Sequence, residues 1–483
     1  IGGVSAGGAS SIGITAESVS NGATGFAGVA VDGDVSVNGK NALGVTAISA
    51  AGVDVAIGSN AVVSGDSARG IEQISSGGSV TTSVDGFIAV AGDSASGATT
   101  EAKTDVTFTV ASAVEVSGAG SLGVELIGRN IEAEVGGPVL ALAELALGVS
   151  ARSRSDVSFE VGSAVSASGE SATGVSIESI GGSVLLDIAE FISASGESSA
   201  AVRALANDSL QLNVASAVES AGESAMGVDL FSDQGDSSVD IGGYVLASGD
   251  SSTGVRSVSR ESSSLVVGSA VEASGDNAAG IDVKSYRDSA QLAVKGVVLA
   301  SGDSSSAVRM VANNGGLVSM DAGSSVVTQG EGSLAVNLRS DGASTSGISL
   351  AVEDDLQVSG RSSTGVQAKA NGSSDSSVAQ IALGGRVLVD ADDARGLAVS
   401  TKSSESSADI ALDVGGLIFT SGAQALGITL ATEGTQASGS VVALIGGEAA
   451  NIGQDSTLLK ASSVSESGSS GDVAVAISQS LIT

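Results

Sequence analysis

The chain has no histidine, no cysteine and no tryptophan in 483 residues. Without histidine it cannot build a Ser-His-Asp or Cys-His catalytic group, or a histidine-ligated zinc site. Without cysteine it has neither disulfides nor thiolate chemistry, which fits an extracellular protein held together by stacking rather than by cross-links. Proline occurs once, at Pro138. Aromatic residues are 2% of the chain, so a wide globular core has little to fill it. No segment approaches the roughly 18 consecutive apolar residues of a membrane helix. The opening IGGVSAGG has no basic n-region of a signal peptide, and the closing AISQSLIT is not an aromatic-flanked barrel strand. Both ends read as those of a mature form or of a fragment whose export signals lie elsewhere. Positive charge is also scarce. Twenty bases stand against 54 acids, a formal charge of −34. Nucleic acid is excluded as a partner because phosphate binding needs a basic stripe, and an anionic membrane surface is excluded for the same reason.

What is present is small and apolar. The apolar fraction is 42%, dominated by alanine and valine, which is enough surface to bury and argues against disorder. The 69 glycines are not spaced at every third position, which excludes collagen.

The glycines belong to a repeat. It reads SGDSARGI at Ser64–Ile71, SGESATGV at Ser168–Val175, SGDSSTGV at Ser248–Val255 and SGDNAAGI at Ser274–Ile281, with weaker copies at Asn38–Val45, Ala221–Val228 and Ser359–Val366. Aligned on the first glycine, the anchors are Gly8, Gly39, Gly65, Gly92, Gly118, Ala143, Gly169, Gly196, Gly222, Gly249, Gly275, Gly302, Gly330, Gly360, Ala391, Gly422 and Gly453. Self-similarity at this period means a stacked array whose units bury one another. Residues alternate apolar and polar on both sides of the turn, a third short apolar piece follows, and no helix-length amphipathic run intervenes. The predicted fold is all-β, a single elongated parallel β-helix of about 17 rungs of 26–31 residues, right-handed by the general crossover preference. One continuous solenoid over 1–483 is expected. Its regular rungs cover 39–302, longer-loop rungs cover 303–460, and irregular ends cover 1–20 and 461–483. The extra residues after Gly302 are expected in loops such as Asn371–Ser377 and Thr401–Ser407. At about 4.8 Å per rung the rod would be roughly 80 Å long.

Stacking the motifs yields columns. Val175, Val202, Val228, Val255, Ile281 and Val308 form one expected inward ladder, and Ile177, Ala204, Leu230, Ser257, Val283 and Met310 another. Between them Arg203, Asp229, Arg256, Asp282 and Arg309 alternate in sign, a charge ladder whose expected role is to fix register. A two-rung superperiod separates GSAVxASG rungs (Gly162–Gly169, Gly268–Gly275) from the GGYVLASG type (Gly242–Gly249). It places Leu140, Leu246 and Leu299 outward, in a column shared with Glu219 and Glu272. These leucines are a possible lateral contact, against the plain alternative of isolated exposed leucines.

Chemistry is sparse. No GxxxxGK[ST] loop and no calcium-binding GGxGxDx repeat occurs. Asp390, Asp392 and Asp393 cluster near Arg395, and Asp354 and Asp355 form a second pair. Such carboxylates could run glycoside hydrolysis, or the first cluster could ligate calcium. The plainer reading is that aspartate favours turns, since the first cluster replaces the usual SGD. No cofactor and no enzymatic activity are expected. Pro138–Val149 is the one stretch that could pass for helix, but it keeps the LGV ending of a rung. The Asn207-Asp-Ser and Asn371-Gly-Ser acceptor patterns carry no weight.

The text ASGESATGVSIESIGGSV at Ala167–Val184, with SGDSARGIEQISSGGSV at Ser64–Val80, resembles the passenger repeats of bacterial autotransporters, the β-helices of type V secretion. Some version of it covers nearly the whole chain. The resemblance implies an extracellular or cell-surface adhesin stalk, filament or matrix subunit, without specifying an activity. The C-terminal translocator barrel of that family is not found here. No charged, proline-rich or helical cap is visible at either end, so self-association end to end or laterally is expected, with a host or matrix surface as a further partner. The alternative is a carbohydrate-active or glycan-binding β-helix, its ligand bound along the longer loops after Gly330.

Overall fold

The structure is a computed structural model that describes residues 2–18, 25–314, 316–342, 347–372, 378–403, 409–478 and 481–482. The chain divides into two compact units, Ile1–Gly235 and Asp236–Thr483. Each is a β-solenoid in which every coil contributes one strand to each of three parallel sheets, and the described residues contain no helix. Sheet A takes a three-residue strand such as Val165–Ala167, and sheet B a strand of seven residues or more such as Thr173–Ser179. Sheet C takes five or six residues, as in Val184–Ile188. Pro138–Val149 is an ordinary rung, with Val139–Ala141 in sheet A and Leu147–Ser153 in sheet B.

Strands form because β-branched and small residues alternate with polar ones, and the burial follows that alternation. Val175, Val202 and Val228 in the first unit, and Val255, Ile281 and Val308 in the second, are fully buried. Ile177, Ala204, Leu230, Val283 and Met310 complete the inner ladder. Ser257 shares it, and its hydroxyl lies 2.8 Å from that of Ser237 and 3.0 Å from that of Ser263, so this buried polar group is satisfied by two others.

The corners differ in kind. Between sheets A and B there are five residues in every coil, and between sheets C and A there are three. Between sheets B and C the corner ranges from one residue, Arg129, to the seven of 466–472. All variation in repeat length is taken up on this side. Not all of the extra length is loop: the sheet B strand itself lengthens from seven residues to nine from Leu334–Gly342 onward. Of the two segments expected as enlarged loops, Asn371 and Gly372 and then Thr401–Ser403 end such strands, and the remainder, 373–377 and 404–407, lies outside the described residues.

The five-residue corner explains the motif. Its left-handed residue is two positions after the anchor, and it is seldom glycine. Ser67, Ser94, Ser171, Ser198 and Ser224 in the first unit, with Ser251, Asn277 and Ser304 in the second, all have φ of 52–56°. The anchor itself is glycine for a different reason. A β-carbon on Gly222 would sit inside the van der Waals envelope of the Gly196 carbonyl oxygen, and the same holds for Gly275 over Gly249. The motif's second glycine is equally confined: a β-carbon on Gly70 would lie 2.5 Å from the Gly97 oxygen and 2.8 Å from Val63 Cγ2. These glycines serve close approach between coils, while serine and asparagine make the turn.

Candidate functional site

The expected charge ladder exists within each unit. Arg203 pairs in register with Asp229, and Arg256 with Asp282, which pairs in turn with Arg309. The Arg309 Nε–Asp282 Oδ1 separation is 3.9 Å. Burial pushes the Asp282 carboxyl above its ordinary range, with Arg309, Arg256 and Lys284 pulling the other way. At Asp282 desolvation outweighs attraction, and a one-coil slip of the column would oppose like charges.

The acidic clusters resolve into structural parts. Asp390, Asp392 and Asp393 occupy the five-residue corner, with Asp393 in its left-handed position at φ 57°. Asp390 accepts a hydrogen bond from the Ser421 hydroxyl, and Asp392 Oδ1 accepts one from the Ala423 N–H at 2.8 Å, both in the next coil. Arg395 is exposed at the start of the following strand. The three carboxylates do not converge on an ion: among the described residues no group of three or more acidic side chains could hold a metal. Asp354 and Asp355 point along the stack in opposite senses. Asp354 accepts from Ser324 in the preceding coil at 3.3 Å, whereas Asp355 takes Arg386 of the next coil through a fork at 2.6 and 3.2 Å. That hydrogen bond, foremost, holds the Asp355 carboxyl below the usual carboxylate range and raises Arg386.

Leu140, Leu246 and Leu299 are the half-exposed middle residues of sheet A strands. Leu246 and Leu299 flank Glu272 in register, as the superperiod required. Beyond Leu299 the strict alternation stops, and the column reads Val327, Gln357, Leu388 and Phe419. Sequence reasoning missed this continuation because the duplication that exposed the first leucines fades after Gly302.

A second missed feature is a buried serine at the seventh position of sheet B strands. Ser153 donates to the Arg129 carbonyl at 2.5 Å and Ser340 to the Gly316 carbonyl at 2.6 Å, each reaching the corner one coil back. The signal was a serine at an inward position of the period-2 pattern.

The first unit also carries an open trough of about 760 Å³ where sheet C begins. Five successive coils line it in two files. The outer file is Asp105, Asn130, Asp156, Ser183 and Ser209, and the inner file Thr107, Glu132, Ser158, Leu185 and Gln211. Strand register places the inner file in a single line. The neighbouring B–C corners run from one residue at 129 to four at 180–183. Part of the outer file is internally tied: Asn130 Nδ2 donates to Asp105 Oδ1 at 2.7 Å, and the Ser183 N–H donates to Asp156 Oδ1 at 2.9 Å. With the fold and this geometry in view, no family model matches the chain, and neither a curated protein nor a solved structure does.

Proposed function

We propose that this is a non-enzymatic extracellular structural protein, an adhesin stalk or self-associating fibre or matrix subunit of the kind its autotransporter-like repeats suggest. The observation that carries the reading is the outer face of sheet A in the second unit. Leu246, Leu299, Val327, Leu388 and Phe419 stand there half-exposed on one column of parallel strands, which Glu272 and Gln357 interrupt. The adjacent apolar pairs Leu299–Val327 and Leu388–Phe419 suit a second copy carrying the same pairs, and burying them removes apolar area from water on both partners. The acids support the same reading: Asp355, Asp390 and Asp392 are engaged in coil-to-coil bonds, which is the use a scaffold makes of a carboxylate. Sedimentation velocity over a hundredfold range of concentration tests the proposal. The wild-type chain should associate as concentration rises, and the double variant Leu299→Asp, Leu388→Asp should remain monomeric. A wild-type monomer at every concentration would overturn it.

A further inference from the structure

We propose that the trough on sheet C of the first unit binds a linear, neutral oligosaccharide. This goes beyond the structural role and does not rest on it. The trough crosses five coils at about 4.8 Å each, so its files run for about 19 Å, a length that suits an extended polymer rather than a compact metabolite. Its chemistry selects the polymer. The inner file offers hydroxyls at Thr107 and Ser158 and an amide at Gln211, which donate to and accept from sugar hydroxyls, and a carboxylate at Glu132, which accepts from them. Leu185, 36% exposed, supplies an apolar surface for the C–H face of a ring. No lysine or arginine lines the trough, while Asp105, Glu132 and Asp156 do, so a polyanion finds repulsion and no counter-charge. Among the described residues the inner file makes no ion pair or side-chain hydrogen bond within the protein. The tied outer file beside it is preorganised, so holding a ligand requires little ordering of the wall.

Isothermal titration calorimetry on the full chain tests this with cellohexaose, chitohexaose and maltohexaose as neutral probes, and with hexagalacturonate and hexalysine as charged ones. At least one neutral hexamer should bind at millimolar concentration or below, and its dimer at least about tenfold more weakly, since it meets fewer coils. The triple variant Thr107→Ala, Ser158→Ala, Gln211→Ala should weaken the hexamer at least about tenfold with unchanged far-UV circular dichroism. If that variant does not fold, Leu185→Asp alone should produce the loss by removing the ring-packing surface. Absence of binding by all three neutral hexamers would overturn the proposal. So would undiminished affinity in a folded variant, or tighter binding of either charged probe. A chain that never self-associates would leave this assay unchanged, so the two readings fail separately.

Discussion

The five-residue corner between sheets A and B and the corner between sheets B and C belong to the same coils, yet obey opposite rules. The first keeps one length throughout, with a left-handed residue two places after each anchor. The second runs from one residue to seven. The difference lies in the turn itself: the first corner repeats a left-handed residue in every coil, whereas among the described residues the second has one only at Asn314. At the first corner the glycine anchors lie against the carbonyl of the anchor before, leaving little room for a side chain, and only Ala143 and Ala391 place a β-carbon there. At the second no common turn is imposed, and although a β-carbon on Gly77 would sit inside the van der Waals envelope of the Ala50 oxygen, extra residues add chain entropy that grows slowly with length.

The comparison can be broken or sharpened by substitution. The largest effect is expected for Gly222→Val, which drives a branched side chain into the Gly196 carbonyl. It should lower stability in urea denaturation by about 3 kcal/mol, and loss below about 1 kcal/mol would refute the close-approach account. Next, Leu145 is a bulky residue in the left-handed position at φ 55°. Leu145→Gly should raise stability by about 1 kcal/mol and Ser198→Val should lower it by about 1–2 kcal/mol, both read from the same denaturation curves. The variable corner keeps one fixed point: Ser285, which donates to the Asp288 carbonyl at 2.8 Å and to that of Glu261. Ser285→Ala should therefore cost about 1 kcal/mol although the residue borders a tolerant loop.

Smaller still is Arg386→Ala, worth under about 1 kcal/mol because the pair lies at the surface. Its sign with pH is fixed. The folded-state pKa of Asp355 is depressed, so the stabilisation is complete above the unfolded carboxylate value and disappears as pH falls through the depressed one. Melting temperatures of wild type and variant should differ at pH 7 and converge in acid. A constant gap would exclude this pair as the cause. The least effect is expected for inserting Gly-Ser-Gly after Asp208, which doubles the three-residue corner 207–209 for about 0.6 kcal/mol.

The architecture was legible because one rule is written many times. Period-2 alternation around Val202 and Ile281 fixes strand and inward face together, and both side chains are fully buried. The charge ladder was legible for the same reason, since opposite charges recur at one offset. The role of glycine was not. A sequence shows that Gly222 recurs but not whether it bends the chain or makes room for a neighbour, and only the approach of the Gly196 carbonyl decides between them. The trough was invisible as well. Thr107, Glu132, Ser158, Leu185 and Gln211 share no residue type, so no column announces itself, and their alignment emerges only from strand register. The aspartates drew attention as chemistry because sequence cannot reveal that Ser421 and Ala423 of the following coil occupy Asp390 and Asp392.

A backbone with two rigid bends and one permissive bend per turn is a natural display rack. Text can be rewritten, lengthened or exchanged along one edge while the rest of each turn stays as it was. Novelty in what such a molecule shows its surroundings therefore needs no new architecture, only new wording at that edge.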